Sequence, residues 1–211
     1  TAPTISAVTQ VVTPSNDTTP SYVFTTNEAG TITTNITEGF STSASAANGN
    51  NTVTFNTLGE GTYASKTVTV TDASGNASSL TLTTFVVDTT SPTAAITYDA
   101  VAPFKNGDAA VTITATFNGP VLDSPVPTIA IAGSGIANVT STNMTKVSTT
   151  VYTYSYAVPT GDGTGTVTVG TGTDAAGNIV TSVPTSGATF TVDNTAPTIS
   201  AVTQVVTPSN D

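Results

Sequence analysis

The stretch Val70–Thr93 reads VTDASGNASSLTLTTFVVDTTSPT, and a related stretch, Thr173–Thr198, reads TDAAGNIVTSVPTSGATFTVDNTAPT. Each contains a D-A-x-G-N element, then a Thr-rich segment, then a V-D-x-T-x-P element. Asp and Gly in this order favour a turn, and β-branched residues favour strands. The two stretches therefore predict that two successive modules end in the same way, with a last strand that runs from the first element to the second and with boundaries near Thr90 and Thr195.

A second repeat, whose two copies are identical in sequence, gives the period of the chain. Thr1–Asp17 and Thr195–Asp211 both read TAPTISAVTQVVTPSND, at an offset of 194 residues. We expect a parent protein built from a 194-residue repeat, and an engineered duplication of the first strand is the alternative. The expected organisation is a first module over 1–90, a second module over 91–194 and the start of a next repeat over 195–211.

The third unit is too short to fold by itself. Its seventeen residues lack the neighbouring strands that would satisfy the N–H and C=O groups of an isolated strand. We therefore expect Thr198–Asp211 to be disordered or to pair with a sheet of another molecule.

Alternating polar and apolar residues predict strands along most of the chain. Thr and Val are β-branched and suit the half-buried surface of a sheet, whereas helix-forming residues are scarce. Short strands separated by turns, in blocks of about 100 residues, are typical of β-sandwiches. The sequence therefore predicts an all-β chain of two tandem β-sandwich domains without a helix. The clearest alternation lies in Tyr63–Val70, Ala110–Phe117, Val151–Val158 and Gly187–Val192.

The charge of the chain limits its partners. It has 13 acidic and 3 basic residues and a net charge of -10. It therefore lacks the Lys and Arg side chains that bind phosphates, and we expect neither nucleic acid nor acidic membrane surfaces as partners. No apolar run approaches the roughly 18 residues that a membrane-spanning helix needs, so we expect no insertion into a membrane.

Three residue types that carry much protein chemistry are absent. The chain has no Cys, His or Trp, which excludes thiol and imidazole catalysis and the usual zinc, copper and iron sites. Ser and Thr are abundant but have no His to activate them. We expect a protein that is not an enzyme, and any bound metal would be a hard cation held by oxygen atoms.

The patterns TDASGN–VDTTSP and TDAAGN–VDNTAP resemble bacterial immunoglobulin-like modules that repeat many times in large adhesins, including adhesins exported by type I secretion. The resemblance covers most of the chain. It implies two tandem immunoglobulin-like β-sandwich domains, an extracellular or cell-surface location, and Asp residues that bind Ca2+ at the domain junctions. It places Asp72 and Asp88 near the first junction, and Asp174 and Asp193 near the second. Further ligands from a neighbouring domain would be Asp17, Glu28, Asp99 and Asp108.

Two interpretations of these Asp residues are open at the level of sequence. A calcium site needs about six to eight oxygen ligands, and two Asp residues per junction with Thr and Asn oxygens are a small set. Alternatively, D-x-x-G-N is a turn in which Asp accepts hydrogen bonds from its own backbone and Gly takes a positive φ. The spacing of the Asp residues does not decide between them.

Tyr152, Tyr154 and Tyr156 alternate along one predicted strand and therefore share a face. Such a row is either part of the core or, if exposed, a surface on which sugar rings stack. A row that continues into an apolar residue, here Val158, more often belongs to the core. We expect a core role for these residues.

These observations lead to an expected function. Tandem repeats joined by short, Pro-containing linkers behave as semi-rigid arrays. We expect a structural repeat module of an extracellular adhesin or surface stalk, a spacer stiffened by Ca2+ whose partners are the neighbouring repeats. The alternatives are a filament, surface-layer or matrix subunit that contacts other copies by strand donation through Thr195–Asp211, and a glycan-binding module.

Overall fold

The structure is a computed structural model that describes residues 1–203. In this part of the chain it contains seventeen β-strands and no helix, which confirms the predicted all-β class. No helix of membrane-spanning length and hydrophobicity occurs among these residues.

Residues 1–90, called module 1, contain β1 (Ile5–Thr9), β2 (Ser21–Thr26), β3 (Gly30–Thr34), β4 (Ser45–Ala46), β5 (Gly49–Thr54), β6 (Gly61–Tyr63), β7 (Thr67–Thr71), β8 (Ala77–Thr81) and β9 (Phe85–Val87). Residues 91–194, called module 2, contain β10 (Ala94–Tyr98), β11 (Val111–Phe117), β12 (Thr128–Ser134), β13 (Val139–Asn143), β14 (Thr145–Lys146), β15 (Val151–Tyr156), β16 (Gly163–Gly170) and β17 (Thr189–Val192).

Module 1 is built from antiparallel sheets. Strands β4, β3, β7 and β8 form a four-stranded sheet in that order, β1, β2 and β5 form a three-stranded sheet, and β6 pairs with β9. In β7, Val68 and Val70 are buried, whereas Thr67, Thr69 and Thr71 are partly exposed. This alternation follows from the two-residue period of a strand and turns one face of the sheet to the core.

Module 2 consists of two antiparallel four-stranded sheets, with the strand orders β10–β11–β15–β14 and β13–β12–β16–β17. Ile113 of the first sheet and Ile129, Ile131 and Val167 of the second belong to one cluster of buried residues. The two sheets therefore pack against each other through their apolar faces, as expected for a β-sandwich.

Buried apolar side chains form two clusters, one in each module. The module 1 cluster is drawn from residues 11–87 and includes the fully buried Tyr22 and Phe24. The module 2 cluster is drawn from residues 94–192. Each module therefore has a hydrophobic core of its own. The burial of one large apolar side chain in such a core contributes about 1.5–3 kcal/mol to stability.

Two details of the strands differ from the prediction. The alternating stretch 63–70 is not one strand, because β6 ends at Tyr63, Ser65 has a φ of 54°, and β7 begins only at Thr67. The segment that joins the two motifs of module 1 is also divided, since β8 belongs to the four-stranded sheet and β9 pairs with β6. The chain therefore changes sheets between the motifs and does not form a single last strand.

The two copies of the duplicated segment differ in structure. In the first copy, β1 pairs with β2, and Ile5 packs against the module 1 core. In the second copy, residues 195–203 form no strand, and Ile199 is 84% exposed. Residues 198–203 form no strand, residues 204–211 lie outside the described residues, and the expectation that Thr198–Asp211 is disordered or pairs with another molecule stays a prediction.

The tyrosine row lies in the core of module 2. Tyr152 and Tyr156 are buried and Tyr154 packs against the same cluster, which confirms the core interpretation. The Tyr152 hydroxyl lies within hydrogen-bond distance of Val121 O (3.2 Å) and Asp123 Oδ1 (3.0 Å). The Tyr156 hydroxyl is buried and has no hydrogen-bond partner among the described residues. One strand thus holds a satisfied and an unsatisfied tyrosine hydroxyl.

These two tyrosines provide a matched test of the core. The substitution Tyr152→Phe removes a bonded hydroxyl and should lower the free energy of unfolding of module 2 by about 0.5–1.5 kcal/mol. The substitution Tyr156→Phe removes a buried hydroxyl that has no partner, and it should leave the stability unchanged or raise it. Urea unfolding followed by the NMR signals of module 2 measures both effects. A larger loss of stability for Tyr156→Phe would contradict the assignment.

Candidate functional site

The D-A-x-G-N element forms the same closed loop in both modules, called here the module 1 loop (72–76) and the module 2 loop (174–178). Asp72 Oδ1 accepts hydrogen bonds from the backbone N–H groups of Ser74 (2.8 Å) and Asn76 (2.9 Å), and Asp72 Oδ2 accepts one from Asn76 Nδ2 (2.8 Å). The corresponding distances in the module 2 loop are 2.9, 2.9 and 3.0 Å. The glycines at the fourth position have φ of 86° and 94°, a conformation that suits Gly. Both loops are therefore turns closed by an Asp side chain.

The module 2 loop lies against the C-terminal end of module 1. The Asn16 N–H donates to Ala176 O at 3.0 Å, and Asn178 Nδ2 donates to Asp88 O at 2.8 Å. Only 8% of Ala176 and 7% of Asn178 are exposed. The corresponding residues of the module 1 loop are exposed, so the same loop is docked in one module and uncovered in the other.

The linker between the modules is bonded on both sides. On the module 1 side, Thr90 N–H donates to Asp88 Oδ1 (3.0 Å), and Thr90 Oγ1 donates to Glu60 Oε2 (2.7 Å). On the module 2 side, Thr181 N–H donates to Pro92 O (2.8 Å). These contacts hold the linker to both modules.

The C-terminal end of module 2 has the same two kinds of hydrogen bond as the module 1 side of the linker. Thr195 N–H donates to Asp193 Oδ1 (2.9 Å), and Thr195 Oγ1 donates to Asp162 Oδ2. The V-D-x-T motif is thereby explained, since Asp accepts the Thr N–H while the Thr hydroxyl binds a second acid. Neither Glu60 nor Asp162 is among the site residues expected from the sequence. The available signal was an acid between two glycines, G-E-G and G-D-G, at the same place in each module.

Hydrogen bonds stabilise the charged form of three of these carboxylates. The Thr90 hydroxyl is the main cause that lowers the pKa of Glu60, and the Thr195 hydroxyl is the main cause that lowers the pKa of Asp162. The pKa of Asp72 is lowered chiefly by the Asn side chain of its own loop. The linker and the loop therefore depend on ionised carboxylates.

The structure groups the motif Asp residues differently from the resemblance. Asp174 lies at the first junction and not at the second, because Asn178 binds both the Asp174 carboxylate and the Asp88 carbonyl. Asp72 lies at the N-terminal end of module 1. Strand β7 ends beside the start of β3, and the turn before β3 is hydrogen-bonded to Thr4. Asp72 and Asp88 therefore do not share a junction.

The four further candidate ligands have local roles or lie in turns. Asp17 and Asp99 each accept a hydrogen bond from a nearby backbone N–H at 2.8 Å. Glu28 lies in the bend between β2 and β3, and Asp108 lies in the turn before β11. Among residues 1–203, no three acidic side chains come together in a way that would hold a metal ion.

Calcium takes about six to eight oxygen ligands, and the described residues place no three acidic side chains around one point. The carboxylates of Asp72 and Asp174 each accept three hydrogen bonds from their own loops. The geometry supports the turn interpretation, and the binding of Ca2+ stays a prediction from the resemblance.

In comparisons with known proteins, no protein-family model and no curated protein matches this chain.

Acid should weaken the linker through Glu60 and Asp162. Because their pKa values are lowered in the folded chain, their contribution is complete above the ordinary values of 4.5 and 3.8 and is lost as the pH falls through the lower folded values. We expect the thermal midpoint to drop as the pH falls below about 4.5, and to drop less in the double variant Glu60→Gln, Asp162→Asn. Equal drops in a calorimetric pH series would contradict this role.

Calcium removal gives a test of the two interpretations of the Asp motifs. If the carboxylates serve only their own turns, the thermal midpoint should be the same in excess EDTA, in millimolar calcium and in millimolar magnesium. Differential scanning calorimetry of the chain measures this. A rise with calcium alone, abolished by Asp88→Ala and Asp193→Ala, would support the calcium interpretation.

Proposed function

We propose that this chain is a structural repeat unit of an extracellular adhesin or surface stalk, and that it acts as a semi-rigid spacer. Its immediate partners are the neighbouring repeats of the same polypeptide. It performs no catalysis, and it serves to hold a distant functional part of the protein away from the cell surface.

The observation that carries this proposal is the direct contact between the two modules. Asn178 is almost fully buried at the junction, and its side-chain amide donates to Asp88 O across the boundary at 2.8 Å. A second bond, from Asn16 N–H to Ala176 O at 3.0 Å, lies beside it. Two bonds at separate points oppose rotation as well as bending, so they restrict the relative orientation of the modules.

Composition and repetition support the same proposal. The net charge of -10 and the single salt bridge among the described residues, between Lys146 and Asp123, leave most carboxylates facing water, which favours solubility in long arrays. The 194-residue offset between identical segments is the pattern of a tandem array, in which added copies increase length. The buried tyrosine row gives no support to the glycan-binding alternative.

The substitution Asn178→Ala tests the spacer, and Asn76→Ala is its matched control because the same side chain is exposed there. In the native chain, NMR relaxation should give the two modules one common rotational correlation time. Asn178→Ala removes the bond to Asp88 and should give the modules separate, shorter correlation times. Asn76→Ala should leave the common value unchanged.

Small-angle X-ray scattering on the same three proteins provides a second readout. We expect one extended shape for the native chain and for Asn76→Ala, and a broader distribution of lengths for Asn178→Ala. Modules that tumble independently in the native chain would refute the spacer proposal.

A further inference from the structure

We infer that the C-terminal end of module 2 is a docking site for the module 1 loop of a second copy of the repeat, placed in tandem at the 194-residue offset of the duplicated segment. The inference rests on the proposed spacer function and names the contact that would continue the rod from one repeat to the next. It is carried by three features: a preformed loop that has no partner among residues 1–203, an equivalent receiving end, and a cavity at the expected place.

The module 1 loop is already in the docking conformation. It has the same internal hydrogen bonds as the module 2 loop, at 2.8–2.9 Å around Asp72, and the same positive φ at Gly75. In the module 2 loop, Asn178 Nδ2 donates both to its own Asp and to the neighbouring module. In the module 1 loop, Asn76 Nδ2 donates only to Asp72 among the described contacts. One donor of the exposed Asn76 amide is thus available for a partner.

The receiving ends of the two modules have the same backbone pairing. At the end of module 1, Asp88 N–H donates to Ser15 O at 3.0 Å. At the end of module 2, Asp193 N–H donates to Phe104 O, also at 3.0 Å. The next residue, Lys105, therefore occupies the position that Asn16 occupies in module 1. By this correspondence, Lys105 N–H should donate a hydrogen bond to a docked loop, as Asn16 N–H donates to Ala176 O.

A cavity of about 260 Å³ lies at this receiving end in module 2. At the matching place in module 1, the module 2 loop is hydrogen-bonded to Asp88 O and to Asn16 N–H. The cavity is lined by Lys105, Asp193, Asn194, Thr195, Ala196 and Pro197.

The receiving ends differ at one position, Asn16 in module 1 and Lys105 in module 2, and the lysine suits the acidic module 1 loop. In module 1, Asn16 Nδ2 lies 3.6 Å from the point where a Cβ on Gly177 would stand, so the side chain at this position packs on the docked loop. In module 2, the position holds Lys105, one of only three basic residues in the chain. The module 1 loop carries the ionised Asp72, and a lysine at this place adds attraction between opposite charges.

The proposed contact has two specific hydrogen bonds. Lys105 N–H donates to Ser74 O of the following repeat, and Asn76 Nδ2 of that repeat donates to Asp193 O. Both reproduce a bond observed at the first junction.

The test uses the chain extended after Asp211 by residues 18–211, which completes a second copy because 195–211 repeat 1–17. The chain has no native cysteine, so pairs of introduced cysteines report proximity cleanly. The test pair is Lys105→Cys in the first copy with Ser74→Cys in the second. The control pair is Lys105→Cys with the exposed Ser43→Cys of the second copy. A reference pair, Asn16→Cys with Ala176→Cys, reports the first junction.

Under mild oxidation, we expect the test pair to form its disulfide on the order of tenfold or more faster than the control pair. Docking would hold the test thiols together, whereas the control thiols meet only at the millimolar effective concentration of a tethered chain. Closure of the test pair at the control rate, while the reference pair closes quickly, would overturn the inference and leave the spacer proposal intact. Slow closure of both the test and reference pairs would overturn both.

A matched substitution guards against effects on folding. Asn76→Ala in the second copy should slow closure of the test pair toward the control rate, because it removes the donor to Asp193 O. The same substitution in the first copy, whose loop faces no preceding module, should leave the rate unchanged. Equal effects of the two substitutions would also overturn the inference.

Discussion

The junction between the modules depends on a carboxylate that accepts hydrogen bonds from its own loop. Asp174 binds the backbone N–H groups of Ala176 and Asn178 and also the Asn178 side chain, which orients that amide toward the Asp88 carbonyl. An amide buried without a partner would cost about 1–3 kcal/mol, so the loop and the end of the preceding module must fit each other. A short polar loop thereby sets the direction in which the chain continues.

The linker uses the same kind of interaction in place of a large apolar interface. Asp88 accepts the Thr90 N–H, the Thr90 hydroxyl donates to Glu60, and Pro92 O accepts a bond from module 2. The carboxylates of the linker therefore need no basic side chain as a partner, because they accept hydrogen bonds from N–H and O–H groups of the same molecule. Thr suits both tasks of the protein, since its branched Cβ favours strands and its hydroxyl anchors the linker.

Each module has its own hydrophobic core, and among the described residues no cluster of buried apolar side chains spans the junction. The junction is formed instead by a few hydrogen bonds, and these define the orientation of the modules. The arrangement also suits repetition, because the loop and the receiving end are on opposite ends of each module. If the next repeat docks as proposed, each further copy would be added through the same pair of ends.

The sequence by itself determined the all-β class and the buried tyrosine row, because both follow from local alternation. It favoured a turn at the D-A-x-G-N elements but left calcium binding open there, because the spacing of the Asp residues does not decide between the two. It did not reveal that stretch 63–70 is interrupted at Ser65, nor that Glu60 and Asp162 anchor the linkers. Only the tertiary structure decided which motifs meet. Asn178 reaches Asp88, 90 residues earlier in the chain, because the folding of two sheets places the start of one module against the end of another. Spacing along the chain carries no information about such a contact.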